Sequence, residues 1–555
     1  MKEKLQSANL INRESFNGLN LARVDRVALV LGLVALAVYF PGIWWGLPHA
    51  TSAETIHGWD VDSVSGIPTL AEIHNLFGTP RPDWWVAYPL WHYLVLAAVY
   101  VPYMSFLLLT GGLSNPSATY PFGFTDPVGA IATLALIGRA VTWLMAGGIV
   151  ATTFLIARTV WGRRFGIVAA SIVMLIHPMV YYARTGNLDI PVLFWTVLGV
   201  LPLAQSLRFG LDRRRAVWMG ICAALAVATK DQAYGAWLPA LGFVIVAHLR
   251  IKPRSWAPLW TLILTGIVVY VLASGLLINP QRFIAHMKFT ADYENYVDVR
   301  QLDLMRPATL EGYAYLGLDI LQAAVEALGP IFFIVALIGA LATRLSSKLH
   351  SVLLFMLAGH IFLVILPIRH IWYRWILFPA FAMVFLIVQA LYLGWQRGGW
   401  IRMATAVLLV IGFLWLGVRS ADLTFQMLFD ARYQAAAWLE QNARPGDRIA
   451  FTGAIEQLPP LPDRVEVDPI PSGDAALDVI GRREARFFIV SPDWTSDATM
   501  EYSRFLSPMV YARLEDGSLG YTLLVRFEKH SLLTIPMKYF ASVNPPVQIF
   551  SAQVH

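Results

Sequence analysis

The chain has 555 residues, 57% of them hydrophobic and only 14% charged, with a mean hydropathy of +0.57. Soluble domains carry nearer a quarter charged residues, so this composition excludes a soluble globular protein and predicts an integral membrane protein. The net charge of +6 is no nucleic-acid signal, because the Arg and Lys residues stand in short loops between apolar runs, and the single cysteine, Cys222, excludes an intramolecular disulfide.

In chain order, the basic and polar segment 1–25 predicts a cytoplasmic N-terminus. The apolar run after it, Val27 to Leu47, is too long for a signal-peptide core of roughly 7–15 residues and reads as an uncleaved first span. Crossings need about 20 apolar residues, fewer where neighbours shield the ends. Spans are predicted at 26–47, 139–161, 166–184, 190–207, 215–230, 233–249, 256–278, 320–343, 350–367, 374–395 and 402–419, within a transmembrane domain over 26–419. The clusters Arg163-Arg164, Arg208 with Arg213 to Arg215, Arg250-Lys252-Arg254, Arg344 with Lys348, and Arg397 with Arg402 are expected on the cytoplasmic side. That places loops 48–138, 185–189, 231–232, 279–319 and 368–373 outside. Tyr88 to Leu109 breaks this alternation, because a crossing there would invert every later loop. It reads either as a juxtamembrane or re-entrant helix, or as a true span paired with another between Val128 and Arg139, for about 11–13 spans in all.

After Ser420 the hydrophobic runs shorten and charge rises. Asp430 to Glu440 reads as an amphipathic helix. Gly446 to Phe451, Arg486 to Val490 and Tyr521 to Phe527 are strand-like, and a Pro-rich stretch from Pro459 to Pro471 separates the first two. The expected fold is an all-α polytopic membrane bundle with a small C-terminal α/β domain, 420–555, outside the cytoplasm.

The unusual polar residues then converge on the outer face. Asp60 and Asp62 lie in the first outer loop, and Tyr181 to Pro191 (with Arg184, Asn187 and Asp189) joins two spans there. Thr229-Lys230-Asp231-Gln232 joins another two, and Arg369-His370-Ile-Trp372-Tyr373-Arg374 ends the ninth span. Ionisable groups at membrane depth are costly and mark functional sites. Each also has a plainer role: Asp189 as a helix N-cap before Ile190-Pro191, Lys230 as a snorkelling side chain, Arg369 and Arg374 as interfacial anchors beside Trp372 and Tyr373. His57, His74, His92 and His286 lack metal-ligand spacing. There is no Walker-type loop, dinucleotide-binding glycine motif or His-Glu-x-x-His helix, which speaks against a nucleotide-driven machine.

Asp60-Val-Asp62-Ser63, then Tyr88-Pro89-Leu90-Trp91-His92-Tyr93-Leu94, then Arg139 form an ordered set that resembles the GT-C superfamily. The resemblance is closer to the bacterial branch of the dolichyl-phosphate-mannose protein mannosyltransferases (glycosyltransferase family 39) and the related aminoarabinose transferases. It continues through Trp161 to Gly166, Tyr182 to Asp189, Ala228-Thr-Lys230 and Arg374 to Pro379, in order. Two departures stand out: Ser63 where the family has Glu after the Asp, and Leu90 where it has a second proline.

This resemblance implies a GT-C-like catalytic domain that moves a sugar from a polyprenyl monophosphate to an acceptor hydroxyl outside the cytoplasmic membrane, with inversion. It implies Asp62, or Asp60, as base, and Arg369, Arg374 and Lys230, assisted by His370, as cations for the donor phosphate. Asp189, Asp231, Tyr88, His92 and Arg139 would position substrates. A divalent cation, Mg or Mn, held by Asp62 with Asp189 would need no His or Cys. Trp59 and Trp84 offer rings for sugars. The main alternative is a polytopic lipid-linked sugar flippase or transporter, which predicts charge spread through the membrane and often two related halves; neither pattern is present. The sugar and the acceptor, whether glycan, lipid or protein, are open at this point.

Overall fold

A computed structural model of the chain describes residues 25–60, 62–77, 86–250, 255–291, 305–342, 348–462, 465–471, 473–482, 484–491, 506–533, 538–540 and 542–552. The N-terminal part is helical. Helix α1 (Arg26–Tyr39) starts at Asp25, whose side chain caps the Val27 N–H at 2.9 Å. A hairpin of β1 (His49–Ser52) and β2 (Thr55–His57) follows, then α2 (Ile67–Phe77) and α3 (Trp91–Thr110). Helix α4 (Pro127–Leu175) begins with an Asp126 cap and a first-turn proline, and bends at Gly162, whose φ of 83° breaks the helix. Two helices meet at Gly162, and Gly166 packs back against Phe154, so the chain reverses there and the spans expected at 139–161 and 166–184 are two separate helices, the second continuing into the short α5 (His177–Tyr182).

The bundle continues with α6 (Asp189–Phe209), α7 (Arg213–Thr229), α8 (Ala233–Leu249), α9 (Ala257–Ala273), α10 (Pro280–Ala291), α11 (Leu310–Ala342), α12 (Lys348–His360), α13 (Leu377–Arg397) and α14 (Gly399–Leu428). Among the described residues, seven helices are long and apolar enough to cross a membrane, and three shorter apolar ones run Arg26–Tyr39, Ala233–Leu249 and Ala257–Ala273. The sequence expectation of 11–13 spans also takes in those shorter helices, α7, and each of the two helices that meet at Gly162. Helix α3 shares an apolar cluster (Tyr93, Leu96, Tyr100) with Ile131 and Leu134 of α4, on the N-terminal side of Arg139. Val128 to Arg139 is thus no separate span but the first turns of α4.

The last membrane helix runs on to Leu428, past the Ser420 boundary expected from composition. The C-terminal domain then holds α15 (Ala431–Asn442), β3 (Arg448–Thr452), β4 (Glu466–Pro469), α16 (Ala476–Gly481), β5 (Phe487–Val490), α17 (Pro508–Glu515), β6 (Tyr521–Phe527) and β7 (Val547–Ala552). Its five-stranded sheet has the order β4-β3-β5-β7-β6, parallel from β4 to β5 and antiparallel beyond. Strand alternation sends Ile449, Phe451, Phe487 and Ile489 to one core with Leu439 of α15. Ala450, Phe488 and Val490 go to the other with Val510 and Leu514 of α17. The sequence missed β4, an edge strand inside the Pro-rich stretch, and β7. Proline survives there because an edge strand leaves one row of N–H positions without a partner.

Candidate functional site

The polar residues singled out above meet at the end of the bundle that carries the C-terminal domain. Asp60 is buried, with Oδ1 3.0 Å from Nη2 of Arg139 and Oδ2 accepting the Gly186 N–H at 3.1 Å. Arg139, fully buried, also donates to the carbonyls of Ile43 (2.9 Å) and Trp45 (2.6 Å). The pair braces the chain that leaves α1 against α4 and against the turn before α6. Gly186 is needed for that approach, since a Cβ there would come within 2.1 Å of the Ser63 and Ser65 hydroxyls. Asp60 and Arg139 are thus occupied by structural contacts.

Asp62 is differently placed. Its backbone sits in the left-handed region at φ 61°, which Asp tolerates better than most residues. Its side chain is 38% exposed and pairs with the Arg374 guanidinium. Arg374 in turn lies over the Trp372 ring, 5.2 Å from the centroid, and belongs to a 3-10 turn, Tyr373–Ile376, at the start of α13.

A second pair lies beside the first. Lys230 Nζ donates to Asp189 Oδ1 at 2.7 Å, and both side chains are almost wholly buried. Asp189 is not the cap of α6, because Leu188 holds that position and makes no side-chain cap. Lys230 does not snorkel, because the carboxylate compensates its burial in place. The Lys230 ammonium stands 5.9 Å from the centroid of the Tyr88 ring. Asp189, Lys230 and Arg374 line one small cavity of about 40 Å³ together with Thr196, His360 and Trp375. Tyr182 lies within electrostatic reach of Arg374, Asp189 and Asp62.

The other expected residues take supporting places. Asp231 faces His286 Nε2 at 3.0 Å, while His286 Nδ1 donates to the Val86 carbonyl at 2.6 Å. Arg282 of α10 pairs with Glu72 of α2, Nε to Oε1 at 2.5 Å, and donates to the Tyr88 carbonyl at 2.7 Å, which fixes Tyr88 beside Lys230. His92 is buried in the first turn of α3 and does not line the cavity. Neither do Arg369 and His370. Arg369 is left-handed at φ 57° and its carbonyl accepts the Arg306 N–H at 2.8 Å, whereas the His370 ring packs edge-on against Trp372 at 4.6 Å. Of the two arginines the sequence offered, Arg374 is the one set against Asp62.

Asp62 and Asp189 were the expected carboxylates for a divalent ion. Each instead faces a cation, Arg374 or Lys230, and no group of three potential metal-ligating side chains occurs among the described residues. Trp59, expected to meet a sugar, is fully buried beneath Arg432, whose guanidinium carbon lies 3.7 Å from the ring centroid; Trp84 lies outside the described residues. A further polar cluster went unread in the sequence: Glu326 of α11 pairs with Arg419 of α14 and stands 4.0 Å from His177. An acid inside an apolar run was its signal.

An apolar groove of about 440 Å³ runs between α7, α8 and α9, lined by Ala223, Val227, Trp237, Leu241, Ile267 and Tyr270 among others. It opens along the helix that ends at Lys230.

No protein-family model and no curated protein matches the sequence. Among solved structures, the chain is similar to ArnT from Cupriavidus metallidurans bound to undecaprenyl phosphate, at 13% identity over 94% of this chain and 98% of that one, with a TM-score of 0.46. It is similar to the oligosaccharyltransferase AglB from Archaeoglobus fulgidus, in complex with an inhibitory peptide and a dolichol-phosphate, at 12% identity over 93% and 77%, TM-score 0.43. It is also similar to the arabinofuranosyltransferase AftD from Mycobacteria, at 14% identity over 96% of this chain but 42% of that one, TM-score 0.39.

Proposed function

We propose that this membrane protein is an inverting GT-C-type glycosyltransferase that moves a sugar from a polyprenyl-monophosphate donor to an acceptor hydroxyl. The observation that carries this reading is the Asp62–Arg374 pair beside the buried Lys230–Asp189 pair. A half-exposed carboxylate, paired with one of two cations that line a shared cavity, supplies what the transfer needs. The Arg/Lys bias of the loops supports the outer face of the cytoplasmic membrane as the site of the reaction.

Asp62 acts as general base, taking the acceptor proton as the hydroxyl oxygen attacks the anomeric carbon. The bond from that carbon to the phosphate oxygen breaks, and its electron pair stays on the phosphate, which leaves with its prenyl chain. Arg374 and Lys230 stabilise the charge that develops on this leaving group in a partly dry site. Attack opposite the phosphate inverts the anomeric centre, so one positioned base suffices. The groove between α7, α8 and α9 takes part of the prenyl chain.

The pair also supports a sequence of events. Before donor binds, Arg374 pairs with the Asp62 carboxylate. A phosphate competes for the guanidinium, which favours bidentate binding to either anion. Donor binding thereby frees Asp62 to accept a proton, so the base becomes competent once the phosphate is seated. Assay of the purified protein with labelled undecaprenyl-phosphate sugars, wild type against Asp62→Asn, tests the assignment.

A further inference from the structure

Neither half of the Asp62–Arg374 pair sits in a regular helix. Asp62 follows the hairpin in a left-handed turn, and Arg374 lies in a 3-10 turn five residues after the left-handed Arg369. Helix packing alone does not fix two such turns at contact distance, because each ordered loop residue costs about 1–2 kcal/mol of conformational freedom. The C-terminal domain contacts the chain next to both.

On the carboxylate side it encloses Trp59. The indole Nε1 donates to the Leu458 carbonyl at 2.8 Å, and Arg432 covers the ring face. Arg432 is itself held by Asp430 (2.9 and 2.8 Å), Gln457 (2.8 Å) and the Ser542 carbonyl (2.8 Å). The Leu461 N–H donates to the Ala50 carbonyl at 3.1 Å, which ties the hairpin to the same domain. On the cation side, Tyr373, the residue before Arg374, stacks on Tyr539 with centroids 4.3 Å apart and planes 8° from parallel. Phe540 stacks on Tyr181 at 4.2 Å, in the segment that leads to Gly186. Ser542, which receives Arg432, is two residues beyond Phe540, so one short stretch of chain reaches both halves.

We propose that the C-terminal domain is a positioning element for the reaction: Arg432 on Trp59 and Tyr539 on Tyr373 hold the Asp62 turn and the Arg374 turn in register at their contact. Arg432 and Tyr539 are positioning residues and touch no substrate. The bland alternative is a domain that covers the bundle end and contributes stability alone. It predicts that trimming the Tyr539 ring lowers the unfolding temperature without altering what Arg374 does. The inference rests on the reading of Asp62 and Arg374 as reacting groups, so its test includes a measurement of the contact itself.

Full-length protein in lipid nanodiscs, as wild type, Tyr539→Ala, Tyr539→Phe and Arg374→Ala, is examined by amide hydrogen exchange of the peptide containing Arg374 and by titration with undecaprenyl phosphate. Tyr539→Ala is expected to speed exchange in that peptide and to weaken undecaprenyl phosphate about fivefold, the size of one aromatic pair. Tyr539→Phe, which keeps the ring, is expected to restore both. Wild-type exchange in Tyr539→Ala overturns the proposal. So does faster exchange with unchanged binding, which would make the contact structural only. If Arg374→Ala binds undecaprenyl phosphate as wild type does, the phosphate role of Arg374 falls instead, and the exchange result still decides whether Tyr539 holds the turn.

Discussion

Arg374 donates to the Asp62 carboxylate across 312 positions of sequence, and in doing so joins the loop after the first helix to the start of α13. Two residues back along the same loop, Asp60 makes the opposite kind of contact, a buried pair with Arg139. One carboxylate holds the loop and the other faces Arg374, which lines the cavity.

That division separates the two aspartates experimentally. Asp60→Asn leaves Arg139 buried without its charge partner, a loss of ~3–5 kcal/mol for a buried pair. Thermal unfolding in detergent should shift down markedly for Asp60→Asn and hardly at all for Asp62→Asn, whose side chain is 38% exposed. Equal shifts would contradict the assignment of Asp60 to the frame.

Arg374 is expected to govern donor affinity. Replacing it by Ala removes a charge-assisted contact worth about 1.5–3 kcal/mol, so donor KM should rise ~10–100-fold. Lys at that position should recover part of the loss, since it keeps the charge and loses the planar fork. Steady-state kinetics over a range of donor concentrations checks this; an unchanged KM in Arg374→Ala would remove the phosphate role.

For Lys230 and Asp189 the informative variant is the double one. Lys230→Met alone leaves a buried, unpaired carboxylate, and Asp189→Leu alone leaves a buried ammonium; each should cost ~3–5 kcal/mol. Lys230→Met with Asp189→Leu should regain most of the stability, as apolar replacement of a buried pair often does, yet stay inactive. A stable and active double variant would make the pair purely structural.

Most of the site's residue types were readable because charges between apolar runs have few bland explanations. Asp62 stood out in the long first outer loop, and Asp189, Lys230 and Arg374 each on a short one. Their pairing was not readable, because partners such as Glu72 and Arg282, 210 positions apart, are joined only by the fold. Trp59 shows the converse failure. An aromatic beside an acidic motif invites a sugar, and nothing local signals that Arg432 will cover it. The break at Gly162 falls between two predicted spans as the sequence has it, whereas the last helix boundary slipped: α14 runs on through Asp422 and Gln426, whose side chains bond to each other.

The junction between the first loop and the C-terminal domain should be acid-sensitive. His49 lies between the carbonyls of Leu47 (2.9 Å) and Leu458 (3.1 Å), and burial pushes its pKa from the ordinary 6.5 down to about 4. The folded state therefore binds fewer protons than the unfolded chain between those values. Stability is fully present above about 6.5 and falls as pH drops toward 4, by up to ~1.4 kcal/mol per unit. Unfolding temperatures measured over that range should decline in the wild type and flatten in His49→Gln; parallel declines would show that another group titrates.

The central claim, that Asp62 is the base, is tested most directly by turnover of purified Asp62→Asn with a panel of labelled undecaprenyl-phosphate sugars, beside undecaprenyl phosphate binding. The amide cannot take the acceptor proton, so transfer should fall about 10²–10⁴-fold while the lipid phosphate still binds. Transfer by Asp62→Asn at the wild-type rate would contradict it.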